Sequence, residues 1–257
     1  MAQAERILYQ FPLSHFCEKS RWCLDHKQLP YEAHNLIPGL HRLTTQRKAH
    51  SNTVPLLKDG PNWVPDSTAI ALYLDGRYPE LPLVARDPGQ KQQILQWDQH
   101  AVALAVDVRR WLYIQMDGHP LVRRVILGDH RWLRRTEAVS WPLIIGTIKK
   151  HYGIHPDRAE TTLKKIWYRL DPLEQALLAN GGRYLIGTQL SLADISAAST
   201  LAPLLGIAET PWVPEGDEVL PAAVLALRDQ LVDRPLGQYV LRLYQTERQA
   251  RVDWHGQ

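Results

Sequence analysis

Hydrophobic and polar positions change period several times along the first third of the chain. Ile7-Leu8-Tyr9 is a short β-prone run that stops at Phe11-Pro12. From Ser14 the period lengthens. Ser14 is a good N-cap, and Phe16, Ser20, Cys23 and Leu24 fall on one helical face. Leu29 to Leu36 alternates at period two and predicts a second strand. Val54-Pro55-Leu56-Leu57, running into Lys58-Asp59-Gly60, predicts a strand and a hairpin turn, with Trp63-Val64 returning. Asp66-Ser67 then opens a helix with Ile70, Ala71, Tyr73 and Leu74 as apolar positions. This order predicts a small mixed-sheet α/β domain over residues 1–82.

The proline-rich stretch 83–89 breaks the pattern and is read as a linker. Beyond it almost every apolar position recurs at helical spacing, so residues 90–257 are predicted to form an all-helical domain. Ser191-Leu192-Ala193-Asp194 has capping-box spacing, and loss of Asp194 as a cap is expected to cost about 1 kcal/mol. Glycine-proline breaks at Gly118-His119-Pro120 and Gly153-Ile154-His155-Pro156 bracket a basic, tryptophan-containing insertion around 115–158. It is expected to form a loop or short helices near the rim of an active site.

Composition narrows the function. The chain has 257 residues, 45% hydrophobic and 22% charged, an ordinary globular balance. Its formal net charge of +3 is too small for a dedicated nucleic-acid binder. Cys17 and Cys23 are its only cysteines, which excludes a disulfide scaffold. No apolar run approaches 18 residues, so no membrane helix is expected. The opening MAQAERILYQ lacks a secretory pattern, and a reducing, cytoplasmic setting follows. The eleven histidines show no His-Glu-x-x-His spacing, so no metal is expected.

Four segments together resemble the cytosolic glutathione S-transferase superfamily. Leu13-Ser14-His15-Phe16-Cys17 follows the first strand, where serine-type, theta-like members carry the catalytic serine. Val54-Pro55-Leu56-Leu57 is similar to the family's cis-proline strand, Asp66 to Leu74 to its acid-serine pair and following helix, and Ser191 to Asp194 to its C-terminal capping motif. The resemblance implies a thioredoxin-like domain followed by a helical bundle, glutathione as co-substrate, and a homodimer engaged in detoxification. Ser14 is then the catalytic residue, with Cys17 as the alternative. Thr53, Val54, Pro55, Asp66, Ser67 and His41 would hold glutathione. A substrate cleft would be lined by His100, Leu104, Val108, Trp111 and Tyr113. Arg21 is read as structural, bridging the domains. The loop Ala49-His50-Ser51-Asn52-Thr53 departs from the family pattern, because Thr53 replaces the usual Lys or Gln; His41, Lys48 or His50 are the candidate replacements.

The chemistry behind these roles is thiolate stabilisation. A free thiol has a pKa of about 8.5, and only its thiolate is a good nucleophile. Lowering that value by about 2 units needs about 2.7 kcal/mol of preferential anion stabilisation. A helix N-terminus and a hydroxyl donor converge at Ser14 to supply it. The enzyme is expected to attack an electrophilic, largely apolar substrate. Two other readings stay open. One is a glutathione-dependent thiol transferase or reductase, or a β-etherase-like enzyme, using Cys17 or Ser14. The other is a non-catalytic binding protein of the same fold. Residues 109–165 add twelve Lys or Arg against five Asp or Glu. That excess is read as solvated helix faces with buried tryptophans, as a cleft for anionic or aromatic substrates, or as a nucleic-acid face.

Overall fold

Leu8 and Leu57 have no solvent exposure and face each other across neighbouring strands. A computed structural model describes residues 6–128, 130–208 and 210–256. Residues 1–5 of the predicted first domain and Gln257 of the second lie outside the described residues. Four strands, β1 (Arg6–Gln10), β2 (Glu32–Asn35), β3 (Leu56–Asp59) and β4 (Asn62–Pro65), form one mixed sheet in the order β2-β1-β3-β4. β1 and β2 run parallel, so a crossover must join them, and helix α1 (His15–His26) supplies it. β3 and β4 form an antiparallel hairpin turned at Gly60, whose φ of +57° favours glycine.

Helix α2 (His41–Ala49) is absent from the sequence pattern because it is polar nearly all round, with only Thr45 buried. Helix α3 (Ser67–Arg77) follows β4 and buries Ile70, Ala71 and Leu74 against the sheet. The Val54–Pro55 bond is cis, and β3 begins just beyond it at Leu56.

After Pro65 every regular element among the described residues is helical. The long helix α4 (Pro88–Gln115) begins within the predicted linker, capped by Asp87. The insertion forms α5 (Pro120–Leu127), α6 (Arg131–Arg135) and α7 (Glu137–Tyr152). α8 (Ala159–Ala179) and α9 (Leu192–Leu205) pack against α4, and every residue of α9 is buried. α10 (Ala222–Val232) and α11 (Pro235–Thr246) close the bundle. This is a thioredoxin-like domain followed by a helical domain.

Buried charge joins the two domains. Lys19 on α1 pairs with Asp98 on α4, and both are almost fully buried. Thr68 donates to the same carboxylate at 2.7 Å, and Ser196 on α9 donates at 2.5 Å. Glu18 accepts from Arg21 at 2.5 Å and from Arg248, past the end of α11, at 2.8 Å. These two guanidinium groups outweigh burial and hold the Glu18 carboxyl down at about 2. Arg21 reaches Arg248 through Glu18, which links the domains as its sequence position implied. The chain then returns to the sheet: Asn35 at the end of β2 donates to the carbonyls of Trp254 and His255 at 3.2 and 3.1 Å.

Asp194 does more than cap α9. It is fully buried and accepts from the Ser191 amide, the Ser191 hydroxyl, the Leu185 amide and the Tyr239 hydroxyl at 2.6–2.8 Å. Removing it orphans several buried donors, so the sequence expectation of about 1 kcal/mol is too small. Asp194→Ala is expected to lower the unfolding free energy by about 3–5 kcal/mol, against about 1 kcal/mol for Ser191→Ala. Urea denaturation of the two variants, with the slope held constant, measures the difference.

Candidate functional site

Ser14 is the N-cap of α1, in extended conformation at φ −87°, ψ 113°. Its Oγ accepts from the Cys17 amide at 3.4 Å, a long contact, and its hydroxyl also reaches the Cys17 thiol as a donor. The first-turn amides behind it carry the positive end of the helix dipole.

Two adjoining recesses meet at this residue. The first encloses about 620 Å³, counting its space open to solvent. The N-terminal domain contributes Phe11, Ser14, Pro38, Gly39, His41, Arg42, Asn52, Thr53 and Val54 to its walls; Arg109 of α4 and Thr147, Ile148, His151 and Tyr152 of α7 form the opposite side. The second, of about 480 Å³, shares Phe11, Ser14, Pro38, Arg109, Ile148 and Tyr152 with the first and adds Pro12, Leu13, Leu36, Tyr113 and Ile126. One recess is therefore more polar and the other more apolar, with Ser14 and Arg109 on their common boundary. No aspartate or glutamate lines either recess among the described residues.

Of the residues predicted to hold glutathione, His41, Thr53 and Val54 line the polar recess. His41 Nδ1 accepts from the Gly39 amide at 3.1 Å, so its Nε2 carries the hydrogen and donates to the Asn52 carbonyl at 2.9 Å. Burial also lowers its pKa. The imidazole is thus a neutral brace for the loop rather than a free cation. Pro55 is buried behind Val54. Asp66 and Ser67 stand beyond Pro55 and outside both recesses. The Asp66 carboxylate caps α3 through the Thr68 and Ala69 amides at 2.9 and 3.0 Å, and its φ of +72° is strained for a non-glycine residue. Lys48 lies over the Trp63 ring, and His50 ends α2 in the left-handed region; neither lines a recess.

The predicted substrate cleft needs correcting. Only Tyr113 of its five residues lines a recess. Leu104, Val108 and Trp111 are buried in the helical core, and His100 Nε2 donates to the Arg169 carbonyl at 2.8 Å, with its ring against Trp97. α4 is buried on several faces, with Leu104, Ala105, Val108, Trp111 and Leu112 all shielded, so its apolar pattern does not reveal which face borders the cleft.

Cys17, the alternative nucleophile, has no exposure. Burial pushes its thiol pKa up, and the sulfur accepts from the Phe11 amide at 3.5 Å. Cys23 is likewise buried and pushed up to about 12, chiefly by desolvation. Neither sits where a low-pKa reactive thiol belongs.

Arg109, Arg42, His151 and Tyr152 are site residues that the sequence reading did not pick out. A signal for Arg109 was present: its neighbours at three and four positions are Ala105, Val106, Leu112 and Tyr113, all apolar. Arg110, one position on, instead finds Asp107 at 3.4 Å. The basic middle is also less bare than its count implies. Arg124 pairs with Glu215 and Glu218, Arg123 with Glu137, and Lys149 with Asp117.

Residues 8–82 match the family profile described as Glutathione S-transferase, N-terminal domain. A curated relative, glutathione S-transferase Z2 of Arabidopsis thaliana, is 39% identical over 88 residues, 33% of this chain and 40% of the relative. The chain thus aligns with about two fifths of that relative's length. Among solved structures, glutathione transferase GSTFuA3 from Phanerochaete chrysosporium superposes with a TM-score of 0.65 at 17% identity, covering 95% of this chain and 97% of its own. The theta class glutathione S-transferase from the citrus canker pathogen Xanthomonas axonopodis pv. citri, solved with glutathione bound, gives 0.59 at 17% identity, covering 93% and 97%.

His15, beside Ser14, supplies a pH test of this region. Burial and the Arg109 charge push its pKa down to about 3. The unfolded imidazole protonates near 6.5, so between these values the unfolded chain binds the extra proton. The contribution of His15 is therefore whole above pH 6.5 and is lost as pH falls toward 3. At pH 5 the loss amounts to about 2 kcal/mol. Urea midpoints taken between pH 5 and 7.5 are expected to shift less in His15→Leu than in the wild type.

Proposed function

Because residues 8–82 are a glutathione S-transferase N-terminal domain and the whole chain has the fold of the superfamily's cytosolic members, we propose that this protein is a glutathione transferase of the serine type. The observation that carries the reading is the position of Ser14, on the boundary of a polar and an apolar recess and at the N-terminus of α1. In this reading glutathione lies along the polar recess. The Val54 backbone pairs with its cysteinyl part as an added antiparallel strand. Asp66 and Ser67 take the γ-glutamyl end, at the amides that start α3. The glycine carboxylate points toward Arg42 and Asn52, which takes over the task Thr53 is too short to perform. The sulfur then sits at Ser14, where the hydroxyl, turned from Cys17 toward the ligand, and the α1 dipole favour the thiolate. The apolar recess admits the electrophile, and the thiolate attacks its electrophilic carbon.

The burial of Cys17 weighs against a thiol-transfer or reductase reaction through that residue. No helix among the described residues is long and apolar enough to cross a membrane; we extend the reading to a cytoplasmic enzyme acting in detoxification by the family resemblance alone. We extend the reading to a homodimer, by analogy with the family.

Titration of the thiolate absorbance of bound glutathione tests the assignment. Ser14→Ala is expected to raise the apparent thiol pKa by about 2 units and to lower kcat/KM about 100-fold. An unchanged titration removes Ser14 from the mechanism. Calorimetry with glutathione discriminates the non-catalytic alternative, which predicts no binding at millimolar concentration. Mass spectrometry after treatment with oxidised glutathione is expected to leave Cys17 unmodified; an adduct there, with reductase activity, restores the thiol-transfer reading.

A further inference from the structure

We propose that Arg109 forms an anion subsite on the electrophile's side of the cleft, and that the electrophile is an apolar, aromatic-sized molecule bearing a small oxyanion such as a carboxylate or sulfonate. This rests on the cleft being the glutathione-transferase site, and it narrows the expected largely apolar substrate by taking up the anionic or aromatic reading of the basic stretch at one residue.

The argument starts from an unbalanced charge. Arg109 lines both recesses, yet no hydrogen bond or ion pair engages it among the described residues. Its Nε is shielded from solvent without an acceptor. The guanidinium is stacked 3.9 Å from the Tyr152 ring centroid and 5.5 Å from that of Phe16. Stacking uses the faces of the group and leaves its edge, where the N–H donors point, free to bind in the plane. Burial lowers its pKa, but a guanidinium stays protonated at physiological pH. A partly desolvated cation without a counter-ion is costly, and an incoming anion relieves that cost.

Nearby carboxylates do not relieve it. Asp107, two residues earlier, turns away to Arg110 at 3.4 Å and Arg169 at 3.1 Å. Glu18 is held by Arg21 and Arg248, and Asp98 by Lys19, Thr68 and Ser196. His15, neutral or protonated, carries no negative charge and cannot serve as a counter-charge. Glutathione's own anions have other places in the proposed pose: the γ-glutamyl end at α3, the glycine carboxylate at Arg42, the thiolate at Ser14. Arg109 is then the cation left for the second substrate. The walls around it are Tyr113, Ile126, Ile148 and Leu36, which suit a flat apolar body.

A matched pair of probes reads this out: 4-chloro-3-nitrobenzoate and its neutral analogue 4-chloro-3-nitrobenzamide. Calorimetry without glutathione is expected to show the benzoate binding about 10- to 100-fold more tightly, the range of one charge-assisted pair. Arg109→Met is expected to reduce that preference to within about 3-fold, Arg109→Lys to restore part of it, and Arg42→Met to leave it in place. The same preference is expected in the ratio of kcat/KM values. In that conjugation the thiolate forms the new C–S bond, and chloride leaves with the electrons of the C–Cl bond.

Equal binding of the two probes to the wild type overturns the subsite, and needs no variant to fold. Persistence of the preference in Arg109→Met, or its loss in Arg42→Met, also overturns it. A raised pKa of bound glutathione in Arg109→Met, with both probes turned over equally more slowly, assigns Arg109 to the sulfur instead. If glutathione itself fails to bind, the transferase reading falls, while the probe-binding comparison still reports on Arg109.

Discussion

The buried pairing of Lys19 with Asp98 is the contact on which the rest of the molecule depends. Lys19 belongs to the helix that Ser14 caps, and Asp98 to the long helix that carries Arg109. A buried ammonium and a buried carboxylate cannot both be left without water and without each other, so the two helices are held in one relation. Thr68 and Ser196 complete the carboxylate's shell and bring α3 and α9 into the same junction. Arg109 is eleven residues beyond Asp98, close to three helical turns, and so lies on the same side of α4 about 16 Å further along. The ion pair thereby fixes the distance between a hydroxyl contributed by one domain and a cation contributed by the other.

The cleft between them is electrically one-sided. Arginine and histidine line its two recesses, and among the described residues no acid does. This asymmetry is not a product of net charge, which is only +3. It arises because each neighbouring carboxylate is committed to a structural cation, leaving the cleft cations unmatched. Burial accentuates the imbalance, since a lower dielectric strengthens whatever interaction the cleft makes with an anion. On the proposed reading, a site arranged in this way favours negative charge at two points, beside Ser14 and beside Arg109.

Much of the fold was legible in the chain because its signals are local. The alternation of Leu29 to Leu36, the hairpin turn at Gly60 and the cap at Ser191 each specify one element without reference to the others. The ends of the sheet were also within reach, although β3 begins at Leu56 rather than Val54. Helix α2 escaped because an almost fully exposed helix has no apolar stripe to display. The role of Asp194 was underestimated for a different reason: a capping box is visible in sequence, but the Tyr239 and Leu185 donors come from distant segments. Ser14 and Val54 sit on motifs, and both line the polar recess. The second-domain wall was not legible, since a helix buried on several faces offers no periodic cue to the side that meets the cleft. The apolar surroundings of Arg109 were the one available cue, and they distinguish it from Arg110, whose partner Asp107 is three residues away.

The return of residues 254–256 to the sheet bears on how this molecule avoids unwanted company. β2 is the outermost strand, and such a strand ordinarily presents a row of open backbone groups that a foreign chain can zip onto. Here the Trp254 and His255 carbonyls accept from Asn35, and Gly256 runs so close to Ala33 that an added Cβ would sit 2.3 Å from its carbonyl oxygen. A larger side chain at position 256 is thereby shut out, and a passing strand meets an edge against which residues 254–256 already lie, tied there by the Asn35 side chain.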